Sequence, residues 1–242
     1  MKTPQRIVVL ISGRGSNLQS LLQAAQDPAW PGRVVAVISN RPSAPGLEIA
    51  HQAGIPTEVI DHQQMAQRAD FDRELLARCR SLEPDLVVLA GFMRVLDSAF
   101  VRHFEQRLIN IHPSLLPAYA GLHTHRRALA DGVRFAGATV HYVTPELDGG
   151  PIIAQAAVPV QAGDDEHTLA ARVLRAEHRL LPLAVGWHLR GELELRDGRV
   201  SHRLGRSQGL WWGDDVPVAS DEPATTAAPS PFPKPVSPPF SA

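Results

Sequence analysis

The stretch Arg6-Ile7-Val8-Val9-Leu10-Ile11-Ser12-Gly13-Arg14-Gly15-Ser16-Asn17 (RIVVLISGRGSN, residues 6–17) decides the fold. After Arg6 it is an unbroken apolar, β-branched run with no polar alternation, the pattern of a strand covered on both faces. A polar, glycine-rich turn ends it. Residues 17–25 follow with Leu18, Leu21 and Leu22 at helical spacing. Short buried runs recur at 34–38, 57–60, 85–90 (DLVVLA) and 108–111, with helical patterns at 45–53 and 70–82 between them. Buried strands alternating with helices predict an α/β fold: a doubly wound, mostly parallel sheet with helices on both faces.

Beyond residue 112 the pattern loosens. A short helix is expected around 126–130, then two longer strands at 136–143 and 151–160. The first of these carries enough polar and small residues to lie near an edge or beside an antiparallel partner. Residues 164–181 read as a helix capped by Asp164 or Asp165. Asp197-Gly198, within 193–202, signals a two-residue hairpin turn.

The chain has 242 residues, 44% hydrophobic, with a formal net charge of -1. Such a balance offers no electrostatic footprint for nucleic acid or an anionic membrane, so any phosphate must be held by a local site. Cys79 is the only cysteine, which excludes a disulfide framework and a thiolate metal cluster; it reads as a small buried hydrophobe. No apolar run approaches the roughly 20 residues that span a bilayer, and the expected location is a reducing cytoplasm. Residues 1–205 are expected to form the catalytic domain and 206–242 a C-terminal extension. From about 217 that extension holds eight of the 21 prolines among Ala, Ser and Thr, the composition of a disordered tail.

Two clusters of residues carry chemistry. Gly13-Arg14-Gly15-Ser16-Asn17 joins a buried strand to a helix, where free N–H groups and the helix dipole favour an anion. It is not a dinucleotide fingerprint: position 18 is Leu18, and Ser39-Asn40-Arg41 stands where an acidic residue would follow the second strand. A phosphate monoester fits better, and a tight structural turn is the alternative. The second cluster lies in Asn110-Ile111-His112-Pro113. Residues two apart in a strand project to one side, and Pro113 stops the ladder at the edge where α/β sheets place ligands. Asp148, in Leu147-Asp148-Gly149-Gly150, follows another strand and can reach the same edge. An amide donor, an imidazole and a carboxylate suit acyl transfer to an amine. Asn110 would meet the oxyanion, His112 would move a proton or donate to that oxygen, and Asp148 would favour the charged ring. His123-Thr124-His125 with His141 invites a metal, but no carboxylate or cysteine completes a zinc set, and none is expected.

Five blocks in order carry a resemblance: VVLISGRGSNLQ (8–19), LVVLAGFMRVL (86–96), NIHPSLLPAYAGLHTHRRAL (110–129), ATVHYVTPELDGGPII (138–153) and ARVLRAEHRLLP (171–182). Over residues 6–187 the chain resembles the phosphoribosylglycinamide formyltransferase family, folate-dependent enzymes of purine synthesis with a Rossmann-like fold. The resemblance implies transfer of the formyl group of 10-formyltetrahydrofolate, a cosubstrate, to glycinamide ribonucleotide, without a metal or a covalent enzyme intermediate. By the same resemblance Gly15, Ser16, Asn17 and Glu177 hold the ribonucleotide. Asn110, His112 and Asp148 are then the catalytic group, with His112 as general acid. Arg68, Met93, Arg94, Val95, Leu96, Thr144 and Leu147, with Asn110 and Asp148, line the folate pocket. Leu174, three residues before Glu177, stands where one family member has a polar substrate contact.

Partners are expected to be small molecules alone, in a monomer or homodimer. Methionyl-tRNA formyltransferases usually add a C-terminal barrel and formyltetrahydrofolate hydrolases an N-terminal regulatory domain, whereas this chain opens on its first strand and closes on the Pro-rich tail. A silent binding module would have no need of the Asn–His–Asp trio. From composition, deleting residues 217–242 should leave turnover and thermal midpoint nearly unchanged. A large drop in either, in a side-by-side assay and melt, would mean that the tail packs or acts.

Overall fold

Residues 4–211 are described by the computed structural model of the chain. Ten strands form: β1 (Gln5–Ile11), β2 (Gly32–Ser39), β3 (Thr57–Val59), β4 (Leu86–Leu89), β5 (Leu108–His112), β6 (Phe135–Tyr142), β7 (Ile152–Pro159), β8 (Leu193–Arg196), β9 (Arg199–His202) and β10 (Gly209–Trp211). The helices are α1 (Ser16–Ala24), α2 (Gly46–Gln52), α3 (Arg68–Ser81), α4 (Ser98–His103), α5 (Thr124–Ala130) and α6 (Glu166–Leu189). Eight strands make one sheet in the order β10-β7-β6-β5-β4-β1-β2-β3, and β8 with β9 make a separate hairpin.

The even and odd positions of β1 show why the apolar runs lack alternation. Ile7, Val9 and Ile11 pack with Leu18 and Leu21 of α1 and with the α6 residues Leu180, Leu181 and Val185. Val8 and Leu10 point the other way, into Phe71, Leu75 and Cys79 of α3 and Phe100 of α4. Each face of the strand thus has its own core. All five of these β1 side chains are 0% exposed, and full burial of a side chain of this size contributes about 1.5–3 kcal/mol. Cys79 lies in the second core, and burial pushes its thiol up to about 12, so it acts as an apolar filler.

β1 to β5 pair in parallel. β6 then runs antiparallel to both β5 and β7, which settles the choice left open for that strand: it has antiparallel partners and sits inside the sheet. β10 pairs in parallel with β7 and forms the sheet edge; its three residues come from within the stretch read as C-terminal extension. The tail from 217 onward lies outside the described residues.

Three elements differ from the sequence reading. The helix expected to end at 181 continues through Pro182 to Leu189. The proline lacks the N–H that would bond the His178 carbonyl, yet Ala184, Val185, Trp187 and Leu189 bury beyond it, and the Pro182 carbonyl also accepts from Trp30 Nε1 at 3.3 Å. α4 and β10 are too short for a periodic signal. Asp97 starts α4 by accepting from Phe100 N at 2.7 Å. At the head of α6 the cap is Asp165, in a reciprocal box with Thr168, while Asp164 pairs with Arg172. The Asp197-Gly198 turn forms as expected, both residues having positive φ. Among the described residues no helix is long and apolar enough to cross a membrane.

Gly137 sits in β6 where a Cβ would come within 2.0 Å of the Ala156 carbonyl oxygen and 2.7 Å of Leu115 Cδ2. Backbone cannot yield cheaply there. Gly137→Ala should lower the unfolding free energy by about 1–3 kcal/mol, measured by urea denaturation. Unchanged stability would show that β6 and β7 part at this point without penalty.

Candidate active site

β1 lies in the middle of the sheet, and the chain leaves it toward β2 on one side and reaches β4 on the other. At such a switch point two loops open side by side beyond the strand ends: residues 12–15 after β1 and 90–97 after β4. Ser12 links them. Its Oγ accepts from Met93 N at 2.7 Å and donates to Asn40 Oδ1 at 2.5 Å, and its own N–H donates to Gly91 O at 3.2 Å. Ser12 and Asn40 are both buried. Nothing in residues 6–17 pairs Ser12 with Met93, 81 positions away. A polar residue closing a buried run was the available signal.

In the glycine loop, Gly15 caps α1 with φ 79°. A side chain there would also meet Gly46 Cα at 2.5 Å, so both conformation and space demand glycine. With no side chain capping the helix, the first-turn N–H groups at Ser16 and Asn17 remain open to an anion. Asn17 is buried, and its Nδ2 donates to Glu177 Oε2 of α6 at 2.6 Å. Burial pushes the Glu177 carboxyl up to about 7, against the opposing pull of the Asn17 bond. The loop and α6 thereby present one polar group at the floor of this end of the sheet. Leu174 is half-buried, one helical turn before Glu177.

Asn110 and His112 end β5 as expected, and the turn after β6 returns Asp148 to them. The His112 Nε2–H donates to the Tyr119 carbonyl at 3.0 Å, and Nδ1 lies 3.4 Å from Asp148 Oδ2. Both neighbours are acceptors, so the ring satisfies both when each nitrogen carries a proton. Asp148 has φ 52°, a left-handed conformation that Asp tolerates, and its Oδ2 also accepts from Gly121 N at 2.8 Å. Gly150 is required beside it: a Cβ would meet the Tyr142 carbonyl at 1.8 Å. The His112 and Asp148 side chains are only 8% and 9% exposed, so their attraction acts with little screening.

His141 is the residue the sequence reading left without this role. Register places it opposite Asn110. Its Nδ1–H donates to the Tyr142 carbonyl at 2.9 Å, which leaves Nε2 to accept from Asn110 Nδ2 at 3.2 Å. Burial lowers its pKa, consistent with a neutral ring in that tautomer. The Asn110 amide is thus turned with its nitrogen committed on one side and a second N–H without a partner among the described residues. His141 Nε2 is also 3.9 Å from Asp148 Oδ1. Behind the loop, Thr139 Oγ1 donates to Ser114 O and accepts from Leu116 N and Gln155 Nε2, holding residues 114–116 to the sheet.

Residues 93–96 and 144–148 present a different surface. Met93, Val95, Leu122 and Leu147 are four of the eight large hydrophobics exposed among the described residues, and all four lie on loops that carry site residues. Exposed apolar groups around convergent polar ones are the marks of a small-molecule site. Leu96 is buried. Arg94 lies over the Phe71 ring at 4.6 Å. Arg68 donates from Nη2 to Val95 O at 2.5 Å, joining α3 to this loop. Thr144 Oγ1 faces Glu146 O at 3.4 Å. A cavity of about 160 Å³ bounded by Leu115, Tyr119, His125 and Phe135 lies against the loop 113–125, and none of Asn110, His112 or Asp148 lines it. His123 starts α5 in a left-handed conformation, and no three metal-ligating side chains group together among the described residues.

Comparison with known proteins bears on what this edge does. Residues 5–185 match the formyl transferase family model. The chain is 52% identical over 191 residues to phosphoribosylglycinamide formyltransferase of Escherichia coli K12, covering 79% of this chain and 90% of that protein. The crystal structure of phosphoribosylglycinamide formyltransferase from Anaplasma phagocytophilum superposes with a TM-score of 0.81 at 41% identity, covering 87% of this chain and all of that one. A formyltetrahydrofolate deformylase from Pseudomonas putida KT2440 is also similar, with a TM-score of 0.73 and 31% identity over 83% of this chain and 70% of that one.

The Glu177 carboxyl gives a signed pH prediction. Its folded pKa, about 7, lies above the ordinary 4.5, so the folded state binds more protons than the unfolded one between those values, and stability falls as pH rises through that window. Glu177→Gln should therefore be more stable than wild type at pH 8 by up to roughly 3 kcal/mol, with the gain vanishing near pH 4. Urea unfolding at both pH values measures it; an equal gain at the two would refute a raised carboxyl.

Proposed function

The chain belongs to the formyl transferase family, and we propose that Asn110, His112 and Asp148 are the groups with which it moves a formyl group onto glycinamide ribonucleotide. That activity makes it a transferase of purine biosynthesis. We take the donor to be 10-formyltetrahydrofolate, used as a cosubstrate, with formylglycinamide ribonucleotide and tetrahydrofolate as products. The single observation that carries this reading is His112 held between the Tyr119 carbonyl and the Asp148 carboxylate, beside an Asn110 amide whose direction is set by His141.

Attack of the ribonucleotide amine on the formyl carbon makes one C–N bond and turns the carbonyl oxygen into an oxyanion. The free N–H of Asn110 meets that oxygen, and preorganised donors of this kind stabilise such intermediates by several kcal/mol. Breaking the bond to N10 of the folate then needs a proton on the leaving nitrogen, which His112 supplies as general acid. The proton lost by the attacking amine returns to the His112–Asp148 pair, so the chain ends as it began. Asp148, 3.4 Å from His112 Nδ1, holds the ring in place for that transfer.

The open N–H groups of Gly15, Ser16 and Asn17 suit the substrate's phosphate, and Glu177 beside Asn17 suits a hydroxyl or amine of the ribonucleotide. Apolar Met93, Val95 and Leu147, with Arg94, Leu96 and Thr144, suit the pterin ring and its linker. Arg68, more than half exposed, suits the acidic glutamate tail. All these residues belong to one chain, so a monomer suffices and a homodimer is compatible. We place the reaction in the cytoplasm, in accord with a single buried thiol.

His112→Ala should lower kcat by at least the ~100-fold typical of losing an acid–base group; near-normal turnover would remove it from the mechanism. The reaction itself is tested by following deformylation of 10-formyl-5,8-dideazafolate with and without glycinamide ribonucleotide. Turnover that requires the ribonucleotide is expected. Turnover without it would point to the deformylase chemistry of the Pseudomonas relative and overturn the transfer reading.

A further inference from the structure

α3 carries a carboxylate where its helical face should be apolar. Asp72 follows Phe71 and precedes Leu75 on the buried side of the helix, with its side chain 4% exposed. Its Oδ2 lies 3.5 Å from Arg68 Nε, one turn earlier. Its Oδ1 has no hydrogen-bond partner among the described residues. A buried carboxylate with an unpartnered oxygen works against folding, so packing does not account for it.

Two arginines do. Arg68 opens α3, with a side chain 59% exposed, and reaches Val95 O through Nη2. Arg94, two positions from Leu96, spreads over the ring of Phe71 with its own Nε buried and without a hydrogen-bond partner among the described residues. Burial and the nearby charge of Asp97 raise the Asp72 pKa, while Arg68 and Arg94 pull it down. The carboxylate therefore faces the Arg68 guanidinium of its own helix at 3.5 Å and feels the charge of Arg94 from the loop 93–97.

A guanidinium has five N–H groups in a rigid fork. In Arg68 the Nε lies 3.5 Å from Asp72 Oδ2 and Nη2 donates to the Val95 carbonyl, two contacts that hold the group between α3 and the loop. Nη1 has no partner among the described residues, and with the second Nη2–H it forms an edge that matches a carboxylate bidentately. We infer that Asp72 is a positioning residue for the formyl donor: it holds Arg68 so that this free edge receives the acidic tail of the folate. The inference rests on the proposed role of Arg68 as the tail's partner. Preorganisation of a long exposed side chain removes part of the ordering penalty of binding, and it selects donors with a carboxylate at that distance from the ring.

The test uses two formyl donors, 10-formyl-5,8-dideazafolate and the matching 10-formyl-5,8-dideazapteroate, which lacks the glutamate. Asp72→Asn, nearly isosteric, should raise KM for the glutamate-bearing donor about 10-fold, keep kcat within twofold and leave KM for the tail-less donor unmoved. A loosened fold would shift both donors alike. In an Arg68→Ala background the added Asp72→Asn should have no further effect on KM. Equal effects on both donors, or full additivity with Arg68→Ala, overturns the inference. Absence of any tail-selective effect in Arg68→Ala alone overturns the role of Arg68 itself, a separate failure. Should Asp72→Asn melt too low to assay, Arg68→Lys decides: it keeps the charge but lacks the Nε–H and the fork, and should lose tail selectivity as Arg68→Ala does. Full retention by the lysine variant would show that orientation by Asp72 does not matter.

Discussion

Burial of the central strands on both faces is the constraint from which the rest follows. Ile7, Val9 and Ile11 fill one core while Val8 and Leu10 fill the other, so a polar side chain has no place between Ile7 and Ile11 of β1 or along β4. Polar groups are driven to the strand ends, where backbone N–H and C=O groups also come free of the ladder. Ser12, Asn40, Asn110 and His112 all stand at the carboxyl ends of their strands. The chemistry therefore collects at one edge because both faces are occupied, and the switch of direction at β1 opens a gap there for ligands.

The antiparallel β6 gives that edge its particular chemistry. Continuing the parallel winding would have set another helix crossover beside β5. Running backward instead, β6 places His141 opposite Asn110 and Thr139 opposite His112. One histidine then works as a fixed acceptor that aims an amide, and the other sits between two acceptors as a donor. Their different roles follow from what each Nδ1 faces: the Tyr142 carbonyl for His141 and the Asp148 carboxylate for His112. Identical side chains are assigned by their partners.

Buried polar groups elsewhere divide in the same way. Tyr142 Oη lies 2.8 Å from His188 Nδ1 inside the core; burial lifts the phenol to about 12 and lowers the imidazole to about 4. Both are neutral at physiological pH, and a hydrogen bond between two neutral groups satisfies them at small net gain. Glu177 and Asp72 are different in kind. Each keeps a carboxyl under the surface near the ligand edge, and each has an oxygen or an adjacent amide oxygen without a partner. Such groups burden the fold locally, as site residues commonly do.

Local sequence determined the elements whose signal is short-range: the apolar runs of β1, β2 and β4, the helical spacing of Leu18 and Leu21, a cap at Asp164 or Asp165 and the Asp197-Gly198 turn. It also placed Asn110 and His112 on a strand end and Gly15 in a turn, since periodicity and glycine's conformational freedom are properties of a few adjacent residues. The continuation of α6 past Pro182 was not legible, because burial of Trp187 and Leu189 outweighs a lost bond and depends on what surrounds the helix. Nor was the three-residue β10, which exists only because β7 offers it an edge. Tertiary structure alone decided that Asp148 reaches His112 across 36 positions, that the Tyr119 carbonyl and Gly121 N–H complete the pair, and that His141 turns the Asn110 amide. Those contacts are set by register and by the return of loops across the sheet. Their sequence separation is too large for any local pattern to carry the information.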